Sequence, residues 1–374
     1  MRPRFCLMVR AGIIAESVSP GLATVLKAIG HRKGRVRLYA SEKIIGASSD
    51  HQNTWPFVAR DPVIEVRSYE QMASLSHQDL FITWCHRLHY PSHAASLLPA
   101  CVRQADRATL LYDTQFGSWR QMMTQQVRFV ARHWNWLRKV GLICYTTIFP
   151  DHDLFRWLRY VRVPLSVGPN IHYLFTEADR KMLYQPWDGE RTRELAILCT
   201  GTRGICRERE HLLRDLEAGL AKNSGVALMR HRGASGESRG AGQKVVWALD
   251  EYRPAIPEYL EWLRDSEFCL CIPGTSWTHR PFEALVCGSV PILDRVNARF
   301  HDIPWEDGKN CILTGEPWDI PAWRKAVDRA LGCPTAKRLE MRQNIQVLRA
   351  RHLCFESFLN RMADRLGLDR PHEN

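Results

Sequence analysis

From Ser266 to Leu293 the chain reads SEFCLCIPGTSWTHRPFEALVCGSVPIL. Pro273 and Gly274 end an apolar run, and a polar loop follows. Arg280 and Glu283 stand three residues apart, and a second apolar run begins after Gly288. The pattern predicts strand, loop, helix, strand. In such a unit the loop and the helix N-terminus lie together at the carboxyl end of the first strand, where unpaired N–H groups and the helix dipole favour anions. Ser276, Thr278 and His279 supply short polar groups and candidate caps. Arg280 adds a planar donor fork suited to phosphate. Glu283 shares a helix face with Arg280. A carboxylate repels phosphate unless it has another task, such as accepting hydrogen bonds from sugar hydroxyls. A ligand carrying both groups is a nucleotide diphosphate-sugar. The plain alternative is an i, i+3 ion pair on a helix surface.

The same stretch resembles the donor-binding segment of exostosin-type glycosyltransferases. There a strand of the type S-x-F-C-L-x-P-x-G precedes an Arg, then Glu-Ala, then a Gly and Pro-Val-Ile. The matching positions are Ser266, Phe268, Cys269, Leu270, Pro273, Gly274, Arg280, Glu283, Ala284, Gly288, Pro291 and Ile292. Further on, FHDIPWEDGKNCIL, residues 300–313, resembles the family's aromatic-acid-Trp segment. The loop TSWTH departs from the family's acidic version, which leaves the donor sugar open. The resemblance implies an α/β fold of GT-B type, with two Rossmann-like, doubly wound parallel-sheet domains facing a cleft. It also implies a nucleotide-sugar donor, taken as a UDP-sugar, with no metal or other cofactor and inversion at the anomeric carbon. The acceptor would be a hydroxyl of a glycan or lipid-linked glycan, in the synthesis of cell-surface polysaccharide or glycolipid. Inversion needs one general base for the acceptor hydroxyl, at a strand's carboxyl end in the first domain. Glu16, His86 and Asp113 follow the apolar runs there and are the candidates. A residue so placed is more often a cap or loop residue than a base, and His86 and Asp113 are preferred over Glu16.

Three other groups invite chemistry. LAILCTGTRGICRERE is a strand, a Gly-flanked Arg and a helix start. Gly201, Thr202 and Arg203, with Arg207 as a second choice, would meet the donor pyrophosphate, or form a plain strand-to-helix turn. FPDHDLF holds Asp151 and Asp153 as D-x-D, the pair that carries a divalent metal in a GT-A glycosyltransferase through hard oxygen ligands. Two acids in three residues also arise by chance. Residues 119–141 interleave Trp and Phe with Arg and Lys. They would suit an anionic membrane surface, or a helix packing its aromatics on a sheet. Stacking on single-stranded nucleic acid is a third use, but no nucleic-acid signature accompanies it, and no nucleic-acid partner is expected.

The surrounding elements must hold these groups in place. Apolar runs of strand length alternate with helical segments in both halves, as in parallel sheets covered on both faces. In the first half these are Phe5–Val9, 79–86, 108–113, 140–149 and 163–169. The second half restarts at 194–201 and continues through 225–231, 245–250, 266–274 and 289–293. Polar, irregular sequence around 175–192 makes a linker. The expected domains are 1–178 for the acceptor and 190–335 for the donor. Residues 336–374 form a long helical run that crosses back to the first domain. HRGASGESRGAGQK, residues 231–244, reads as a surface loop.

At 374 residues the chain suits two domains. Its 45% apolar and 25% charged residues exclude a disordered chain. A net charge of +12 fits nucleic acid, an anionic membrane or anionic small molecules, and the absence of a dense basic tail argues against a nucleic-acid arm. The 12 cysteines include no CxxC pair, and Cys85, Cys144, Cys199 and Cys269 sit in apolar runs. They read as small buried hydrophobes in a reduced, cytoplasmic protein. Arg10 and Glu16 interrupt the apolar start, so no signal peptide or membrane span is expected. At most the chain lies peripherally on the inner membrane.

Overall fold

The computed structural model describes residues 11–15, 20–40, 55–72, 79–85, 92–113, 119–145, 153–164, 181, 193–204, 206–229, 242–249, 256–274, 278–300, 303–353 and 355–368. The chain divides into two compact units. One is Met1–Phe175 with Phe358–Asn374, and the other is Thr176–Ser357.

The first unit holds β1 (Ala11–Ile14), α1 (Pro20–Lys33), β2 (Val36–Ala40), α2 (Trp55–Arg60) and β3 (Ile64–Ser68), then a 3-10 turn, Tyr69–Met72. It continues with β4 (Asp79–Cys85), α3 (Ser92–Gln104), β5 (Arg107–Asp113), α4 (Trp119–Leu137), β6 (Leu142–Tyr145), α5 (Leu154–Trp157) and β7 (Arg162–Pro164). Its seven strands lie in the order β3-β2-β1-β4-β5-β6-β7, parallel at every pairing. The order reverses at β1, as in doubly wound sheets.

The expected strand Phe5–Val9 lies outside the described residues. The first described strand is β1, whose four residues are all buried. β2 and β3 were not expected, because charges interrupt their apolar pattern. The fold pairs those charges: Arg37 lies opposite Glu65 in the register and donates to its Oε2 at 2.9 Å. Helix α4 buries Met122, Gln126, Phe129, Trp136 and Leu137. Phe129 stacks on Trp84 of β4 at 4.1 Å, and Trp84 stacks on Tyr112 of β5 at 4.7 Å. Half of the helix's aromatics thus pack on the sheet, where such pairs add about 0.5–1.5 kcal/mol each beyond their burial.

The second unit holds β8 (Leu195–Gly201), α6 (Arg207–Lys222), β9 (Val226–Met229), β10 (Gln243–Leu249), α7 (Ile256–Asp265), β11 (Ser266–Leu270) and α8 (Arg280–Cys287). Then come β12 (Val290–Leu293), α9 (Arg295–Phe300), β13 (Ile312–Leu313), α10 (Ile320–Leu331) and α11 (Thr335–His352). Six strands run in the order β13-β12-β11-β8-β10-β9, again parallel at every pairing. The order reverses at β8, so a ligand is expected above the carboxyl ends of β8 and β11. The linker around 175–192, apart from Lys181, and most of the loop at 231–244 lie outside the described residues, although Gln243 and Lys244 already belong to β10.

The long helical run expected after residue 335 is two helices. α11 ends at Leu353, which has left helical geometry with φ −126° and ψ 11°, and α12 (Phe355–Arg365) follows. α12 is tied to the first unit. Arg32 donates to Asn360 Oδ1 at 3.2 Å and pairs with Asp364 at 2.5 Å. Arg107 donates to the Gly367 carbonyl at 2.6 Å.

Candidate functional site

The site begins with how β8 ends. Gly201 has φ +132°, and a Cβ there would lie 3.1 Å from Arg209 Nη2 and 3.3 Å from Arg280 Nη2. Glycine therefore serves twice: it permits the backbone angle and leaves room for two guanidinium groups. Arg209, in the first turn of α6, is 4% exposed. It donates to Thr202 O at 2.8 Å and to Ile272 O and Pro273 O at 2.6 Å each. The loop after β8 is thereby fastened to the segment after β11.

Arg280 opens α8, the helix with Pro281 in its first turn and the left-handed Gly288 at its end, the usual asymmetry of helix boundaries. Its Nη1 lies 3.4 Å from the Tyr259 hydroxyl oxygen, and its guanidinium carbon sits 5.6 Å from the centre of the Tyr259 ring. Tyr259 in turn donates to Glu283 Oε2 at 2.6 Å. Glu283 is only 4% exposed, so Arg280 and Glu283 are not a solvated surface pair. Tyr259 of α7 bridges them. Burial alone would lower the Arg280 pKa, but Tyr259, Cys269, Glu283 and Cys271 outweigh it and raise it. The positive charge is permanent. Burial likewise pushes the Cys199 thiol up to about 12, against the pull of Arg209 and Arg280. Cys144, Cys199 and Cys269 are buried and free, the inert small hydrophobes expected of them, while the Cys85 side chain lies outside the described residues.

From below, buried Arg193 sets α7 and α8. It donates to Leu263 O, Ser266 O and Cys287 O at 3.2, 2.6 and 3.3 Å, near the C-terminal ends of both helices. Burial lowers its pKa to about 10.

The loop between β11 and α8 is steered from α9, the helix after β12. Thr278 N donates to Asn297 Oδ1 at 3.1 Å, and Thr278 Oγ1 accepts from Arg280 N at 3.3 Å. Asn297 is held by Asp294, which accepts from its N at 2.9 Å and its Nδ2 at 2.7 Å. Burial pushes the Asp294 carboxyl up to about 6, against the pull of the Asn297 bonds. A raised carboxyl pKa means that the folded state holds the proton more tightly. Its contribution to stability is full below the ordinary value near 4 and is lost as pH rises through about 6. Relative to Asp294→Asn, the native protein should therefore gain on the order of 2–3 kcal/mol between pH 7 and pH 4. Urea unfolding of both proteins across this range checks it, and parallel pH profiles would refute it.

The sequence candidates divide as follows. Gly274, Thr278, His279, Arg280, Glu283 and Thr202 stand around the carboxyl ends of β8 and β11. Ser276 lies outside the described residues. Arg203 turns instead to Glu217 of α6, at 2.9 Å, and Arg207 is exposed at the start of that helix. Arg209, Tyr259 and Asn297 were not among the candidates. Arg209 was legible: it occupies the apolar stripe of α6 with Leu212, Leu213, Leu216 and Leu220, an odd place for an arginine unless it has buried acceptors. Tyr259 carried no such mark.

In the first unit, Asp113 ends β5 opposite Cys85 of β4, and its side chain lies outside the described residues. Glu16, His86 and Asp151 lie outside them altogether. Asp153 is fully buried and caps α5. Its Oδ1 accepts from Gln126 Nε2 at 2.7 Å and Phe155 N at 3.0 Å, and its Oδ2 from Arg162 Nη1 at 2.6 Å. Both oxygens are engaged within the fold, as in a structural cap. Among the described residues no helix is long and apolar enough to cross a membrane.

No protein-family model and no curated protein sequence matches the chain. Solved structures do. An α,α-trehalose-phosphate synthase (UDP-forming) from Burkholderia xenovorans in complex with glucose-6-phosphate is similar over 96% of this chain and 99% of its own, with 11% identity and a TM-score of 0.55. The α,α-trehalose 6-phosphate synthase of Burkholderia multivorans is similar over 96% and 97%, with 12% identity and a TM-score of 0.54. A trehalose-6-phosphate synthase studied for glycosyl transfer with retention is similar over 96% and 98%, with 11% identity and a TM-score of 0.50. At such identities the likeness is one of fold, and that fold is the α/β architecture of GT-B type, built on two parallel sheets.

Proposed function

We propose that the chain is a glycosyltransferase that moves a sugar from a nucleotide diphosphate-sugar to a hydroxyl group. The observation that carries this reading is the cluster of Gly201, Arg209, Arg280, Tyr259 and Glu283 at the switch point of the second sheet. It pairs a permanent cation at a helix N-terminus with a buried carboxylate, within a GT-B fold. Arg280 and the first N–H groups of α8 would take up charge on the departing diphosphate, where preorganised donors act most strongly. Glu283, oriented by Tyr259, would accept hydrogen bonds from ribose or donor-sugar hydroxyls. Resemblance of residues 266–313 to exostosin-type enzymes supports a metal-independent, inverting reaction on a glycan or lipid-linked acceptor. The similar synthases described as UDP-forming support a UDP-sugar. Inversion would draw its base from Glu16, His86 or Asp113, in a first domain that binds the acceptor.

A thermal-shift panel of nucleoside diphosphates and nucleotide sugars, with and without EDTA, tests the reading on the native protein and Glu283→Ala. Selective stabilisation by uridine nucleotides, insensitive to EDTA and weakened at least about tenfold in apparent affinity by Glu283→Ala, is expected. No shift with any nucleotide would overturn the donor site, and a shift abolished by EDTA would overturn metal independence. Proton NMR of the product made from the stabilising donor then reports the anomeric outcome. Retention would remove the need for the base.

A further inference from the structure

The first unit carries a surface that the proposed chemistry does not use. Seven large hydrophobic side chains are exposed among the described residues, and six of them fall between 119 and 161. Trp134 is 49% exposed, Trp157 73% and Val161 57%. Trp134 lies on the outer face of α4, whose inner face covers the sheet. Trp157, Leu158 and Val161 lie on the turn from α5 to β7. The two places adjoin, because the Tyr160 hydroxyl donates to the Leu137 carbonyl at the end of α4, at 3.1 Å. β7 is an outer strand of its sheet.

The charge on this surface has one sign. Arg128, Arg132, Arg138 and Lys139 are exposed along and after α4, and Arg159 is exposed on the turn. Residues 114–150 and 154–162 contain no Asp or Glu. Neither does α3, which packs beside α4. Arg159 is also the one non-glycine residue with positive φ among those described, at 59°. It stands just past the end of α5, where Tyr160 N reaches back to Phe155 O at 3.2 Å. Glycine is the favoured residue at that position. An arginine there accepts backbone strain and places a cation beside Trp157 and Leu158.

We propose that this face of the first unit binds the surface of an anionic phospholipid bilayer, with Trp157, Leu158 and Val161 entering the headgroup boundary. Exposed tryptophans among cations suit that interface. Aliphatic Leu158, Val161 and Val127 favour lipid over nucleic acid, since they offer bases nothing to stack on. A second copy of the chain would bring like charges together. The inference stands apart from the glycosyltransferase reading and does not need it.

Co-sedimentation of the full chain with vesicles tests it. One set is phosphatidylcholine alone, and the other includes roughly a third phosphatidylglycerol, a composition with a strongly negative surface potential. The native protein is expected to bind the anionic vesicles, more weakly as salt rises, and to leave the neutral ones. Trp157→Ser with Leu158→Ser should weaken binding at least about tenfold. Arg159→Gly should weaken it about fivefold with an unchanged or higher Tm, because glycine relieves the backbone. That variant separates lost charge from lost folding. Equal binding to neutral vesicles, no binding to anionic vesicles at low salt, or native binding by both variants would overturn the proposal. So would tighter binding to a single-stranded oligonucleotide than to the vesicles.

Discussion

Arg280→Ala is expected to lower kcat/KM for sugar transfer by about a hundred- to a thousandfold, or roughly 3–4 kcal/mol of transition-state stabilisation. The basis is position as much as charge. Arg280 opens α8, its side chain lies against the Tyr259 ring, and Gly201 provides the space beside its Nη2. A leaving diphosphate above β8 and β11 would meet a fixed donor fork with no reorganisation. Lysine keeps the charge but loses the fork and the planar contact with the ring, so Arg280→Lys should recover only part of the loss. Steady-state kinetics with the donor that stabilises the native protein decides the matter. A kcat/KM within about threefold of native for Arg280→Ala would remove this residue from the reaction. Because Arg280 also touches Tyr259, the variant's Tm should be measured alongside. A loss of activity accompanied by a fall in Tm of only a few degrees is the expected combination.

Arg162→Ala is expected to destabilise the first unit by about 3–5 kcal/mol, the cost of leaving a buried charge without its partner. Asp153 has no exposed surface, and Arg162 supplies the opposite charge at 2.6 Å. Gln126 and the Phe155 N–H would remain, but neither carries a charge. Asp153→Asn removes the charge and keeps an acceptor for both, so it should cost much less, on the order of 1–2 kcal/mol. Urea unfolding followed by tryptophan fluorescence measures both variants. A loss below about 1 kcal/mol for Arg162→Ala would mean that the pair is solvated and replaceable. Repeating the unfolding with and without EDTA separates two readings of the D-x-D: a structural cap loses stability on substitution and is indifferent to chelator, whereas a bound metal would make the native protein's stability fall with chelator.

The alternating apolar runs and helices were legible in the sequence because each reports a local property, a strand or helix buried on one or both faces. Most of the second unit's elements, from β8 through β12, lie where the pattern places them. Arg280 and Glu283 could be singled out for the same reason: Pro273, Gly274 and Gly288 mark both ends of their unit within a few residues. β2 and β3 escaped because Arg37, Glu65 and Arg67 break the apolar pattern. Arg37 and Glu65 compensate each other across neighbouring strands, 28 residues apart, and Arg67 pairs with Glu65 on its own strand.

By itself, then, the sequence determined the class of fold, the order of most of the second unit's elements and the pairing of a cation with a carboxylate at a helix start. Tertiary structure alone decided what each buried group meets. It brought Tyr259 to Glu283 across 24 residues and Arg209 to carbonyls 63 and 64 residues away. It made Asp153 the cap of α5 and set α12 on the first unit. The physical reason is that periodicity records which face of an element leaves water. It does not record what the face is buried against. That is settled only when distant segments compete for the same acceptors and the same space.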